Sequence, residues 1–238
     1  VLPLFELLRQ TDADAPLRLA GFDPQYSSPA DLATPLVRAM LTPLDAALAE
    51  RLTGMEEALR LYYEEVGRLR RSRVRGTAGE AAVGTDGDPR DDYRALVRRV
   101  KAAKPRYTAD CRQAQALLAQ HRGRLEAEFG REAYLLVHRT FFNRMRLLAM
   151  LTVGLRRYMR IRDRTMADNL VWLKETLHPG EKIIVWAHNG HIAKNTRSLF
   201  GFQAMASLLP ASLRKASYAI GLFMEGGRAA ANDRDIYP

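Results

Sequence analysis

The sequence predicts an α/β fold: a central, mostly parallel sheet with a large helical portion, the sheet being incomplete in this chain. Three features predict it. Ile183-Ile184-Val185-Trp186 is a charge-free, β-prone run of strand length, closed by the turn signal Asn189-Gly190. Residues 17–23 and 218–223 read as two further short strands, with helical-period segments between them. The closing order of strand, helix and strand fits a right-handed parallel crossover. Three strands make a poor sheet alone, and the sequence opens on Val1 inside an apolar helical pattern (Leu2, Leu4, Phe5, Leu7, Leu8). A beginning that lies before Val1 is therefore expected to complete the sheet.

The elements follow in order. After the opening helix and a polar turn at 12–16, the 17–23 strand is expected to end at Asp23. Ser27, Ser28, Pro29 and Asp31 look like a helix start, with Leu32, Leu36, Met40 and Leu41 as its apolar stripe. A long helix is expected over 43–71, its inner face being Leu48, Leu52, Met55, Leu59 and Tyr62. Residues 76–89, rich in Gly, Ala, Asp and Thr, read as a flexible loop. Helical spacing resumes over 91–104, is expected to break at Pro105, and returns over 109–129 and 132–160. In the last of these Met145, Leu148 and Met150 read as core. Asp163 is expected to cap the next helix, with Met166, Leu170, Leu173 and Leu177 inward and a stop at Pro179-Gly180. The strand to His188, a helix over 196–209 and the 218–223 strand complete the chain, with Glu225-Gly226-Gly227 as a closing turn.

With 238 residues, 47% of them hydrophobic, the chain can bury a sizeable core, and it reads as one domain over 1–238 lacking its N-terminal part. Cys111 is the lone cysteine, which excludes an internal disulfide. No signal peptide is visible, and the apolar stretch 147–155 is far too short to span a bilayer, so no membrane partner and a cytoplasmic location are expected. The net charge of +10 comes mainly from arginine, which also fits a high-GC bacterial source. The arginines are spread over many helices rather than interleaved with aromatics, which argues against a nucleic-acid partner.

Candidate chemistry centres on His188 and His191. Both are expected at the carboxyl edge of the sheet, where ligands bind in open α/β folds, and histidine suits proton transfer near neutral pH. Against this stands the plainer role of a hydrogen-bonded turn former. The chain has no His-Glu-x-x-His, and zinc would need carboxylates from elsewhere, so neither metal nor cofactor is expected. Asp23 is expected at the same edge, either orienting a histidine or substrate hydroxyl or capping its own loop. Arg162 is expected at a helix start, against the dipole, with Asn169 on the same face. His138, among Leu135, Leu136, Phe141 and Phe142, reads as a packed histidine, His121 as a surface residue and His178 as a helix-end residue.

Two blocks, Arg162-Asp163-Arg164-Thr165-Met166-Ala167-Asp168-Asn169 and Val185-Trp186-Ala187-His188-Asn189-Gly190-His191, resemble the erythromycin esterase family in order and spacing. Leu2-Pro3-Leu4-Phe5, Gly21-Phe22-Asp23-Pro24-Gln25 and Tyr218-Ala219-Ile220-Gly221 look like its flanking segments. The resemblance implies an α/β hydrolase of carboxylic esters, including macrolide macrolactones and hence antibiotic resistance, acting by general-base activation of water on a small-molecule ester. It implies that His188 and His191 bind substrate and stabilise the developing oxyanion or leaving group, and that Arg162 belongs to the same polar cleft; these three are expected to be catalytic, and Asp23 and Asn169, from their own placement, are expected to bind substrate. The family's base is a histidine of a Gly-Glu-x-x-His-Gly motif that does not occur here. Its place is expected before Val1, so these residues alone are expected to be inactive. The alternative is a catalytically degenerate binding protein on the same fold, whose basic surface holds an acidic partner.

Overall fold

Leu48, Leu52, Met55, Leu59 and Tyr62 recur at helical steps of three and four, and all five are buried in the core. The computed structural model describes residues 18–25, 33–76, 89–196 and 201–221, the side chains of 66–76 and 89–92 excepted. Among the described residues the helices are, in chain order, α1 (Ala33–Leu41), α2 (Ala46–Gly76), α3 (Pro89–Gln120), α4 (Arg122–Phe129), α5 (Arg131–Leu151) and α6 (Leu155–Trp172). Three short ones follow: α7 (Asn189–Ile192), α8 (Met205–Leu208) and α9 (Ala211–Lys215). Beyond Trp172 the last turn of α6 widens over Leu173–Leu177, where the His178 N–H donates to the Leu173 carbonyl five residues back at 2.8 Å.

The main core lies among α1, α2, α3 and α5, around Met40, Leu48, Leu52, Met55, Cys111, Leu118, Phe141 and Leu148. Burial pushes the Cys111 thiol up to about 12, so it behaves as a small apolar group. One buried ion pair crosses this core: Arg144 Nε donates to both Glu56 carboxylate oxygens at 2.6 and 2.8 Å. A second, smaller core of Met166, Ala167, Leu170, Leu173, Leu177 and Met205 joins α6 to α8 and carries the C-terminal segments.

The expected sheet is not there. The molecule is helical, and no strand occurs among the described residues. The reason lies in pairing. Residues 183–187 do alternate: Val185 and Ala187 pack on the second core, while Ile184 and Trp186 are 92% and 83% exposed. A β-prone run becomes a strand only when a neighbour takes up its backbone groups, and no described segment does so. Tyr218 and Ile220 are likewise exposed in irregular chain. Residues 18–25 also form no strand.

Helix boundaries differ too. Pro105 does not break its helix: α3 runs through it, held by Leu96 and Val100 on one side and Cys111, Ala114 and Leu118 on the other. The break expected near 161 falls instead at Thr152–Gly154, so Arg162 and Asp163 stand in mid-helix. The helix expected over 196–209 reduces to α8 in its described part. The opening helix, the start at 27–31, residues 77–88 of the expected loop and the 225–227 turn lie outside the described residues. No helix among those described is long and apolar enough to cross a membrane.

Candidate active site

Helix α6 organises the site because three of its faces carry different partners. At 100° per residue, Tyr158, Arg162 and Asn169 share one stripe, and Asp163, Met166 and Leu170 share the next. Residues 18–25 lie along the first stripe as a strap running antiparallel to the helix. Arg18 donates to His178 Nδ1 at 3.4 Å, beyond the helix C-terminus. The Phe22 carbonyl accepts from Asn169 Nδ2 at 2.8 Å, Asp23 pairs with Arg162, and Gln25 donates to the Tyr158 hydroxyl.

Each candidate on this stripe is already occupied. Arg162 Nη2 donates to Asp23 Oδ2 at 2.6 Å, and its Nε reaches both carboxylate oxygens at 3.2 and 3.3 Å. Burial works against the Arg162 charge, but the Asp23 carboxylate more than offsets it and holds the guanidinium above its ordinary range. Asp23 also accepts from the Gln25 backbone N–H at 3.1 Å, the loop-capping role. Asn169 uses both ends of its amide: Oδ1 accepts from Arg139 Nε at 2.8 Å, and Nδ2 donates to Phe22 and to Asn143 Oδ1. Arg139, which burial disfavours as a charge, lies with its guanidinium 3.9 Å from the Phe142 ring centroid and 5.4 Å from that of Trp172.

The histidines lie at α7, and His191 meets the neighbouring stripe of α6 at Asp163. His188 ends the extended run with φ −60° and ψ 143° and caps α7, its Nδ1 accepting from the Gly190 N–H at 3.0 Å. A Cβ at position 190 would come within 3.2 Å of that nitrogen, so glycine leaves the ring its place. One turn on, His191 Nδ1 lies 2.8 Å from Asp163 Oδ1. The two imidazoles meet edge to face, centroids 6.4 Å apart.

Asp163 is the residue that sequence reasoning missed as a site member. It is 0% exposed, and its Oδ1 also accepts from the Met205 backbone N–H at 2.8 Å, while Oδ2 has no hydrogen-bond partner among the described residues. Its signal was present: a carboxylate centred on the apolar stripe of Met166, Ala167 and Leu170 must be buried, and a buried carboxylate needs a partner. Reading Asp163 as a cap hid this.

The hydrogen bonds fix the tautomers. A carboxylate accepts only, so His191 Nδ1 carries a proton and Nε2 of the neutral ring is bare. His188 Nδ1 accepts from an N–H, so its neutral ring carries the proton on Nε2. The pair thus offers one N–H donor and one acceptor side by side. Among the described residues, no three His, Cys, Asp or Glu side chains gather in a way that could hold a metal ion.

A helical scaffold presenting a buried Asp–His pair beside a second histidine defines a protein with the groups for proton transfer. The chain belongs to the erythromycin esterase family, whose model matches residues 1–236. It is 40% identical over 86 residues to the Bacillus subtilis (strain 168) protein named "Putative hydrolase YbfO". That match covers 33% of this chain and 19% of the relative, so the chain spans about a fifth of that protein's length. No solved structure matches.

Proposed function

We propose that this chain carries the proton-handling part of a carboxylic ester hydrolase, with macrolide macrolactones among its candidate substrates. The observation that carries the reading is the 2.8 Å contact between His191 Nδ1 and the fully buried Asp163. Water adds to the ester carbonyl, an oxyanion develops, and the tetrahedral species collapses as the alkoxide leaves with a proton. His188 Nε2–H donates to the oxyanion. His191 Nε2 takes up a proton from the attacking water and hands it to the departing alkoxide. Asp163 accepts from Nδ1–H whether or not Nε2 is protonated, so the ring keeps its orientation while the proton comes and goes. Asp23, Arg162 and Asn169, all engaged with one another's elements, hold the strap that borders this site rather than reaching for substrate. Family membership and the relative's name support hydrolysis.

The test is to incubate the full-length gene product with a panel of aryl, alkyl and macrolactone esters and follow the mass gain of one water. Turnover that His191→Gln lowers by about 10²–10⁴-fold, the range of general acid–base catalysis, supports the reading. Turnover that is unchanged in that variant overturns it.

A further inference from the structure

The third face of α6 carries a different chemistry. Arg156, Arg157, Arg160, Ile161 and Arg164, joined by Arg146 from α5, line an open cavity of about 550 Å³. On the helical wheel, Arg157, Arg160 and Arg164 lie roughly opposite Arg162, so the cavity is separate from the strap and its ion pair. Five guanidinium groups converge here, and they are poorly neutralised. Asp168 is shared by Arg164 at 3.1 Å and Arg146 at 3.9 Å, and Arg156 donates to the Gly201 carbonyl at 3.0 Å. Arg157 and Arg160 have no partner among the described residues. Arg156 and Arg157 moreover stand in the first turn of α6, which holds no acidic residue and where the helix dipole already disfavours cations.

Like charges gathered in a concavity destabilise the empty protein, and an anion there relieves both the mutual repulsion and the dipole. We propose that this cavity is a binding site for a small polyanion bearing two or more phosphate groups, distinct from the ester site. Guanidinium groups meet phosphate oxygens in paired, planar fashion, and several are needed to hold adjacent phosphates. The volume lies in the range of small-molecule sites. Among the described residues the lining holds no aromatic side chain on which a base could stack, so the phosphates themselves carry the recognition rather than a single-stranded nucleic acid. The arginines also converge from two helices on one cavity, instead of tracking along a surface as a duplex would require.

The probe is inorganic tripolyphosphate, titrated calorimetrically into the 238-residue chain at moderate salt, with thermal unfolding in parallel. Saturable one-to-one binding is expected, weakened about 100-fold in Arg157→Gln/Arg160→Gln, since each of the two lost charged hydrogen bonds is worth about tenfold. The melting temperature should rise with tripolyphosphate in the wild type. Without ligand it should be higher in the double variant, where repulsion is relieved. Arg112→Gln/Arg124→Gln, exposed positions on α3 and α4, should bind as the wild type does. Absence of binding, or equal weakening in both double variants, overturns the proposal. Binding of a random DNA duplex without binding of tripolyphosphate overturns it in favour of nucleic acid. None of these readouts depends on ester hydrolysis, so the two proposals fail independently.

Discussion

Replacing Asp163 by Asn changes one oxygen for an amide nitrogen in a site with no room for error. The carboxylate is wholly buried, and its Oδ1 alone accepts from both His191 and the Met205 N–H. An asparagine that keeps its oxygen there keeps both bonds, but as neutral ones, about half as strong as charge-assisted bonds worth about 1.5–3 kcal/mol each. Its NH₂ group then falls where Oδ2 has no partner among the described residues, and an unsatisfied buried donor costs about 1–3 kcal/mol. Together these give a loss of about 2.5–6 kcal/mol, a large share of the 5–15 kcal/mol typical of a domain. Urea denaturation with linear extrapolation reads it directly. The nitrogen shifts of the His191 ring should move from a single Nδ1–H form in the neutral ring toward a mixture. A loss under about 0.5 kcal/mol with an unchanged tautomer would refute the reasoning, because neither the burial nor the hydrogen bond could then be as described.

Three further outcomes are expected. Asp23→Ala should cost about 1–2 kcal/mol, below the figure for a fully buried pair because both partners are partly exposed, and should speed proteolysis within residues 18–25. If it abolished substrate binding without changing stability, the strap reading would be wrong. Glu56→Gln should cost about 3 kcal/mol by denaturant titration, since it leaves the Arg144 guanidinium in the main core facing a neutral amide. His138 is held below the ordinary imidazole range by burial first and by the Arg122 and Arg139 guanidiniums. The unfolded chain therefore binds its proton first as pH falls through 6.5, so stability rises with pH across that window and is lost as pH falls toward the folded value. His138→Gln should flatten that part of the stability profile, and an unchanged slope would contradict the assignment.

Sequence periodicity located the interior well and the ends of helices poorly. The inner faces of α2 and of α6 were legible because a helix buries a fixed stripe whatever its neighbours are. Pro105 misled because tertiary packing on both sides outweighs one lost backbone bond. The sheet misled for a different cause: β-propensity at 183–186 is a property of the segment, whereas pairing is a property of two segments. The site followed the same division. Arg162 and Asn169 were expected on one helical face and share a stripe of α6, whereas Asp23 was expected at the edge of a sheet that is not there, and its pairing with Arg162 across the strap is a long-range fact no local pattern holds. His188 and His191 were visible as a pair. Their opposite tautomers depend on Gly190 and Asp163, and Asp163 became visible only once α6 was known to begin at Leu155.

The most direct test of the central claim is a double-mutant cycle on ester hydrolysis by the full-length gene product, using His191→Gln, Asp163→Asn and both together. If Asp163 acts through His191, Asp163→Asn alone should lower kcat/KM by about 10- to 100-fold, and the double variant should be no slower than His191→Gln alone. Strictly additive losses would show that Asp163 serves the fold without serving the histidine, and would contradict the account.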